Sequence, residues 1–141
     1  MSRRVPGPLA KFVRERARDR CEYCLLPQSS QEAAFHIDHI KPASALGPTT
    51  AENLALACIT CSLRKAARID VVDPLSKQTV PLFHPRRDQW SDHFRWTPGC
   101  RLHGVTATGR ATIRALGMNR PAVIAIRRTL SQLGMMIFTN E

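Results

Sequence analysis

The sequence predicts an α+β fold, built on a strand–loop–strand–helix (ββα) unit that a structural zinc ion holds together at its base. Two Cys-x2-Cys pairs bracket this unit, and they consist of Cys21, Cys24, Cys58 and Cys61. The segment between the pairs contains two short stretches of β-type residues. Because the chain has 141 residues, we expect one domain over 1–141. The core and an N-terminal helix would occupy 8–70, and a strand and helix extension in 71–141 would pack on them.

The elements up to residue 70 follow from local patterns. Residues 8–20 predict a helix, with Pro8 at the first helical position, where the missing N–H costs nothing. Residues 35–40 alternate between apolar and polar types and predict a strand, and 53–57 predict a second one. Helix-forming and basic residues follow Cys61 and predict the helix of the ββα unit.

The extension is predicted from weaker patterns. Stretches 80–86 and 92–96 are typical of extended chain, and 101–106 predict a further strand. A helix follows Gly109 and is closed by Gly117. A last helix begins at Pro121, and four apolar residues form its core-facing stripe: Val123, Ile126, Leu130 and Leu133.

The composition is that of a soluble globular protein with a strong positive charge. Lys and Arg number 21 against 11 Asp and Glu, which gives a formal net charge of +10. Such a charge favours a polyanionic partner, most simply nucleic acid. No apolar run approaches the roughly 20 residues of a membrane span, and the basic start has no apolar stretch behind it. We therefore expect a cytoplasmic protein with no membrane partner.

The cysteine pattern favours zinc over disulfides. The count of five is odd, and each Cys-x2-Cys turn offers two thiolates at the spacing that tetrahedral Zn²⁺ requires. The segment between the pairs is longer than the roughly 15–20 residues of a plain zinc ribbon, so a folded unit is expected there. Cys100 remains as a free thiol.

The stretch H-I-D-H, residues 36–39, carries the groups that can do chemistry. On a strand, His36 and Asp38 share one face and His39 lies on the other. The carboxylate of Asp38 is an oxygen ligand suited to Mg²⁺. A neutral imidazole beside it, that of His39, can accept a proton from water near neutral pH.

The whole pattern resembles the HNH endonucleases. It reads Cys-x2-Cys, D-H-I-x-P, N-L, Cys-x2-Cys-x3-Lys, and it extends from Cys21 to about Arg68. The resemblance implies the ββα-metal (His-Me finger) core of that family and hydrolysis of DNA phosphodiester bonds, with weak sequence specificity expected for so small a domain. The tail, with V-P-L-F-H-P-R and W-x2-H-F, is similar to the region that follows the motif in one bacterial branch of the family.

The resemblance also implies roles by position. His39 matches the general base, and Asp38 matches the ligand of a catalytic Mg²⁺ or Mn²⁺. Asn53 matches the middle Asn of the family name, which organises the loop and orients the base. The four cysteines match the structural zinc site, and Lys65 matches a lysine near the phosphate.

One departure from the family pattern bears on activity. The position after the last cysteine usually supplies a second metal ligand as Asn or His, and here it is Ser62. A neutral hydroxyl is a weaker ligand for Mg²⁺, and His36 is the candidate to compensate. The alternative function is therefore a catalytically weak or inactive zinc-stapled module that binds nucleic acid. A zinc-stabilised protein-interaction domain is a third reading.

Outside the motif the sequence is less informative. Arg64 and Arg68, with Lys65, are the candidates for phosphate contact, and a solvated face is the equal alternative. The remaining histidines are expected to be packing or surface residues: His84, His93 and His103. The aromatic residues of the extension are expected in the core: Trp90, Phe94 and Trp96.

Overall fold

The computed structural model describes residues 4–140. Within them the chain forms two compact units. Unit 1 comprises the residues up to Ile69 together with His84–Asp88, and unit 2 comprises Asp70–Phe83 and the residues from Gln89 onwards. The boundary at residue 69 lies next to the predicted end of the core at residue 70. That the two parts act as one domain stays a prediction.

Unit 1 contains the predicted ββα arrangement. Helix α1 covers Gly7–Arg16, strand β1 covers His36–His39, strand β2 covers Leu54–Ala57, and helix α2 covers Ile59–Lys65. β1 and β2 pair antiparallel, with Asp38 opposite Ala55 and His39 opposite Leu54. β2 is buried along its whole length, and so it forms the centre of the unit. The mixed α and β fold predicted from the sequence is confirmed.

Two helix boundaries differ from the prediction for local reasons. α1 ends at Arg16 and not near residue 20, because Arg18 and Asp19 both adopt a left-handed backbone with φ of 54°. α2 begins earlier than predicted, at Ile59. There the Sγ of Cys58 caps the helix by accepting a hydrogen bond from the N–H of Cys61, so the second cysteine pair is also the helix start.

The outer edge of β2 is closed by side chains of unit 1. Arg16 donates to the carbonyl oxygens of Ala51 (2.9 Å) and Leu54 (2.8 Å). Glu22 accepts from the N–H of Leu56 at 2.8 Å, and Arg86 forms an ion pair with the same carboxylate. Backbone groups that a third strand would have used are thereby satisfied.

Unit 2 contains two further strand pairs and three helices. They are β3 (Asp70–Val72), β4 (Thr79–Pro81), α3 (Trp90–His93), β5 (Phe94–Thr97), β6 (Arg101–Gly104), α4 (Ala107–Leu116) and α5 (Pro121–Gln132). β3 pairs with β4, and β5 pairs with β6, both antiparallel. The prediction missed β3. It also extended the strand after residue 80 too far, because His84 starts a turn that its own carbonyl closes with the N–H groups of Arg87 and Asp88.

In unit 2, two glycines allow helix α4 to approach α3 and β6 closely. A Cβ on Gly109 would lie 2.1 Å from the carbonyl oxygen of His93, and one on Gly104 would lie 2.4 Å from the nitrogen of Arg110. α4 therefore contacts β6 backbone to backbone. Phe94 is buried as predicted, but Leu133 is 66% exposed because α5 ends one residue before it.

No helix within residues 4–140 is both long enough and apolar enough to span a bilayer.

Candidate metal centre and active site

Four cysteines meet at the base of the ββα unit. The Sγ atoms of Cys21, Cys24, Cys58 and Cys61 all lie within 4.8 Å of one another, and all four residues are buried. Cys24 Sγ and Cys58 Sγ are 3.8 Å apart. Four sulfurs at about 2.3 Å from a tetrahedral Zn²⁺ would be separated by a similar distance. The donor set and its geometry fit a structural zinc ion.

The surroundings of the sulfurs also suit a cation. Burial is the main cause of the raised pKa of Cys21. For Cys61, the main cause of the raised pKa is hydrogen bonding with the other cysteines. Hydrogen bonds from the same neighbours lower the pKa of Cys58. A metal ion that replaces the thiol protons would stabilise four thiolates in so dry a place.

Asp38 lies beside this centre in a nearly closed pocket. Its Oδ2 is 3.1 Å from the Nζ of Lys65, and the side chains are 11% and 1% exposed. The hydroxyl of Tyr23, a residue between the first two cysteines, lies 3.5 Å from the same oxygen. Burial raises the pKa of Asp38, and the Lys65 ammonium opposes that effect. Lys65 also donates to the carbonyl oxygen of His39 at 3.0 Å, so its charge is held against the end of β1.

His39 points to the loop on the other side of β1. Its Nε2 is 2.9 Å from the hydroxyl oxygen of Thr49. Thr49 follows Pro48, whose carbonyl oxygen accepts a hydrogen bond from the side-chain amide of Asn53 at 2.9 Å. The ring of His39 is therefore held by a loop that Asn53 positions.

Asn53 fixes that loop at both ends. Besides Pro48, its Nδ2 donates to the carbonyl oxygen of Lys41 (3.0 Å), and its Oδ1 accepts from the N–H of Lys41 (2.9 Å). The loop is tight, since a Cβ on Gly47 would lie 1.8 Å from the carbonyl oxygen of Lys41. Asn53 itself is 7% exposed, so these three bonds are shielded from water.

His36 and Ser62 meet across β1 and α2. The Nδ1 of His36 lies 2.9 Å from the Oγ of Ser62. Along α2, Ser62 stands three residues before Lys65, and along β1, His36 stands two residues before Asp38. The two contacts therefore both link the strand to the helix, one through the hydroxyl of Ser62 and one through an ion pair.

A family model described as HNH endonuclease matches residues 21–68. We call this matched segment the HNH domain. The match begins at the first cysteine of the zinc site and includes β1, β2 and α2. It confirms the predicted resemblance over the predicted range. Members of this family are nucleases, so nuclease activity is the function class that the match indicates. Comparisons with curated proteins and with solved structures give no match.

A catalytic divalent ion has fewer ligands available in the HNH domain than the zinc ion has. Within residues 4–140, the four cysteines form the one set of three or more His, Cys, Asp and Glu side chains close enough to share a metal. Carboxylate and hydroxyl oxygens suit a catalytic Mg²⁺ or Mn²⁺. That Asp38, Ser62 and His36 hold such an ion stays a prediction.

The basic residues predicted at the HNH domain differ in exposure. Arg64 and Arg68 are exposed, and a guanidinium nitrogen of Arg68 donates to the carbonyl oxygen of Arg64. Lys65 is buried in its pair with Asp38. Two of the three predicted cations therefore face solvent, and the phosphate contacts of all three stay predictions.

Several residues of the site were not found by sequence reasoning. Thr49 and Tyr23 contact the predicted base and the predicted metal ligand, and Glu22 holds the edge of β2. Tyr23 and Glu22 lie inside the first Cys-x2-Cys turn. Their position between two predicted zinc ligands was a usable indication that they lie near the site. Thr49 had no such indication, because its contact depends on the course of the loop.

The turn His84–Asp88 belongs to the same unit as the HNH domain. The Nδ1 of His84 accepts from the N–H groups of Arg86 (3.2 Å) and Arg87 (3.1 Å). Burial lowers the pKa of His84, and the nearby charge of Arg87 lowers it further. Burial also lowers the pKa of Arg86, to about 10. The predicted packing role of His84 agrees with these bonds.

Proposed function

We propose that this protein is a metal-dependent endonuclease of HNH type that hydrolyses phosphodiester bonds in DNA with weak sequence specificity. One observation carries the proposal. A carboxylate and an imidazole, those of Asp38 and His39, follow one another at the end of β1 in a zinc-type ββα unit that matches the HNH family. The cytoplasm is the proposed setting, since a reducing compartment keeps the four cysteines available for zinc.

His39 acts in this proposal as the general base. It accepts a proton from the attacking water, a task for which an imidazole is suited near neutral pH. Thr49 holds the ring through the contact with Nε2, and Asn53 holds Thr49 in place through the loop. A base that is oriented before the reaction avoids the entropy cost of finding its position.

Asp38 supplies the charge for the metal, with Ser62 and His36 as the further donors. A bound Mg²⁺ or Mn²⁺ supplies stabilisation of negative charge on the scissile phosphate and on the leaving oxygen. Arg64 and Arg68 present exposed guanidinium groups for the flanking phosphates. Lys65 is buried in its pair with Asp38, so in this proposal it acts on the phosphate through its charge and not by direct contact.

A supercoiled-plasmid nicking assay tests the proposal. Wild type and His39→Ala are purified in parallel, checked for equal zinc content, and assayed with Mg²⁺, with Mn²⁺ and with EDTA. We expect nicking by the wild type alone, abolished by EDTA, with a loss in His39→Ala of at least about a hundredfold. Equal nicking by both proteins would overturn the role of His39. Nicking that survives EDTA would overturn the metal dependence.

DNA binding without turnover is a second candidate function, and one contact favours it. The ammonium of Lys65 already neutralises the carboxylate that the metal would use, and Ser62 is a weak second ligand. Salt-sensitive DNA binding by the zinc-loaded protein, with no nicking in either metal, would support this function. Nicking that depends on His39 would exclude it.

A further inference from the structure

The sheet formed by β5 and β6 presents a basic face to solvent. In the observed register Arg95 lies opposite His103, and Thr97 lies opposite Arg101. These four residues alternate with Phe94, Trp96, Leu102 and Gly104, of which three are buried and Trp96 is half-buried. One side of the sheet is thus packed. The other side carries two arginines and a histidine, all three exposed.

The positive charge of this face is not neutralised within the described chain. The ion pairs of residues 4–140 involve other side chains, and neither Arg95 nor Arg101 takes part in one. The hairpin from residue 94 to 104 contains no Asp or Glu. At its turn, Arg128 donates to the carbonyl oxygen of Gly99 and so adds a further cation. The two arginines lie on one face without a counter-ion and repel each other, so an anionic ligand would stabilise this arrangement.

Both edges of the same sheet are closed, so a partner strand cannot pair at its centre. On β5, the N–H and carbonyl of Trp96 are bonded to the side-chain amide of Asn140, both at 2.8 Å. On β6, the N–H and carbonyl of Leu102 are bonded in the same way to Asn119, both at 2.7 Å. Edge-to-edge addition of a peptide requires these groups to be free. The face is therefore the surface that remains for a partner.

We propose that this basic face binds the phosphate backbone of duplex DNA. The inference rests on the proposed function, because it takes DNA as the substrate and assigns unit 2 a share in holding it. Guanidinium groups match phosphate oxygens in two-pronged hydrogen bonds. Arg95 and Arg101 lie diagonally across the two strands, where residues are separated by about 7–8 Å, so each arginine contacts a phosphate of its own. Backbone contacts carry no sequence information, which agrees with weak specificity.

Binding of a short fluorescein-labelled duplex, followed by anisotropy at several NaCl concentrations without Mg²⁺ or Mn²⁺, tests the inference. The variant Arg95→Ala/Arg101→Ala is compared with the wild type. The matched control is Lys77→Ala/Arg114→Ala, which removes the same charge from two other exposed positions of unit 2. Each lost phosphate contact lowers the slope of log Kd against log salt by about 0.9, so we expect a loss of about 1.8 in the first variant. The control should keep the wild-type slope.

The outcomes separate this inference from the proposed function. A first variant that binds like the control overturns the basic face, whatever the nicking assay gives. A wild type that binds through this face but does not nick supports the face and contradicts the nuclease. Binding to phosphatidylserine vesicles with no binding to the duplex would overturn the choice of DNA. Circular dichroism of all three proteins checks that the hairpin substitutions leave the fold intact.

Discussion

The ammonium of Lys65 lies 3.1 Å from the carboxylate of Asp38, and both side chains are almost removed from solvent. The family resemblance assigns Lys65 to the phosphate and Asp38 to the metal. In the structure, Lys65 is the internal counter-ion of Asp38. Breaking a buried pair leaves one charge without compensation in a medium where it is poorly solvated. This pair therefore affects the stability of the HNH domain and, in the proposed nuclease, the affinity of Asp38 for a metal.

Replacing Lys65 alone should destabilise the HNH domain strongly. In Lys65→Met the carboxylate of Asp38 loses its partner, and we expect a loss of about 3 kcal/mol in the free energy of unfolding. The double variant Asp38→Asn/Lys65→Met removes both charges and should lose less than the two single variants together. Urea unfolding followed by circular dichroism at fixed zinc measures both. Additive losses would contradict the coupling.

The contact between Thr49 and His39 should affect catalysis more than stability. In Thr49→Val the side chain keeps its size, but the hydroxyl next to Nε2 is lost. The ring of His39 then samples other orientations, and we expect the nicking rate to fall about tenfold or more. Thr49→Ser keeps the hydroxyl and serves as the control. A nicking rate in Thr49→Val equal to that of the control would show that the loop does not orient the base.

Features that depend on the spacing of residues along the chain could be predicted from the sequence, and features that depend on the path of a loop could not. The cysteines and the pair Asp38–His39 were predictable, because their spacing reflects a short turn and a strand. His36 and Ser62 were named as candidate ligands of one metal, but their mutual contact depends on how β1 packs on α2 and was not predicted. The contact of Thr49 was not predictable, because it depends on a loop whose path Asn53 sets.

The units also differed in how well their elements could be predicted. β1 and β2 carry alternating or fully apolar patterns and were placed within a residue or so. β3 was missed, since Asp70–Val72 is only three residues long and gains its partner from the chain beyond a turn. That turn is held by Asp73, whose carboxylate accepts from the N–H groups of Leu75 and Ser76. These bonds are local, but the pairing of Asp70–Val72 with Thr79–Pro81 across the turn leaves little trace in a window of sequence.

Removal of zinc should unfold unit 1, and a separate fluorescence signal can show whether unit 2 unfolds with it. In Cys61→Ser one of four ligands is lost, and structural zinc contributes directly to folding free energy. We expect about one zinc per chain in the wild type and less in the variant, with fast amide exchange in β1 and β2. The single tyrosine, Tyr23, reports on unit 1, while both tryptophans lie in unit 2. Full zinc content and protected strands in Cys61→Ser would contradict the four-cysteine site, and His39→Ala provides the control with all ligands kept.

The ion pair of Asp73 with Arg110 should make the stability of unit 2 depend on pH. Arg110 donates twice to the carboxylate, at 3.0 and 2.9 Å, and these bonds hold the pKa of Asp73 well below its ordinary value. The folded state therefore favours the ionised form. The stabilisation is fully present above the ordinary pKa of about 3.9 and is lost as the pH falls below it.

In Arg110→Met the bonds are absent, so the variant should be less stable near neutral pH, and the difference should shrink on acidification. Tryptophan fluorescence during urea unfolding at a series of pH values measures this difference in unit 2. A difference that stays constant from neutral pH to about pH 3 would mean that the contribution of Arg110 is packing and not charge.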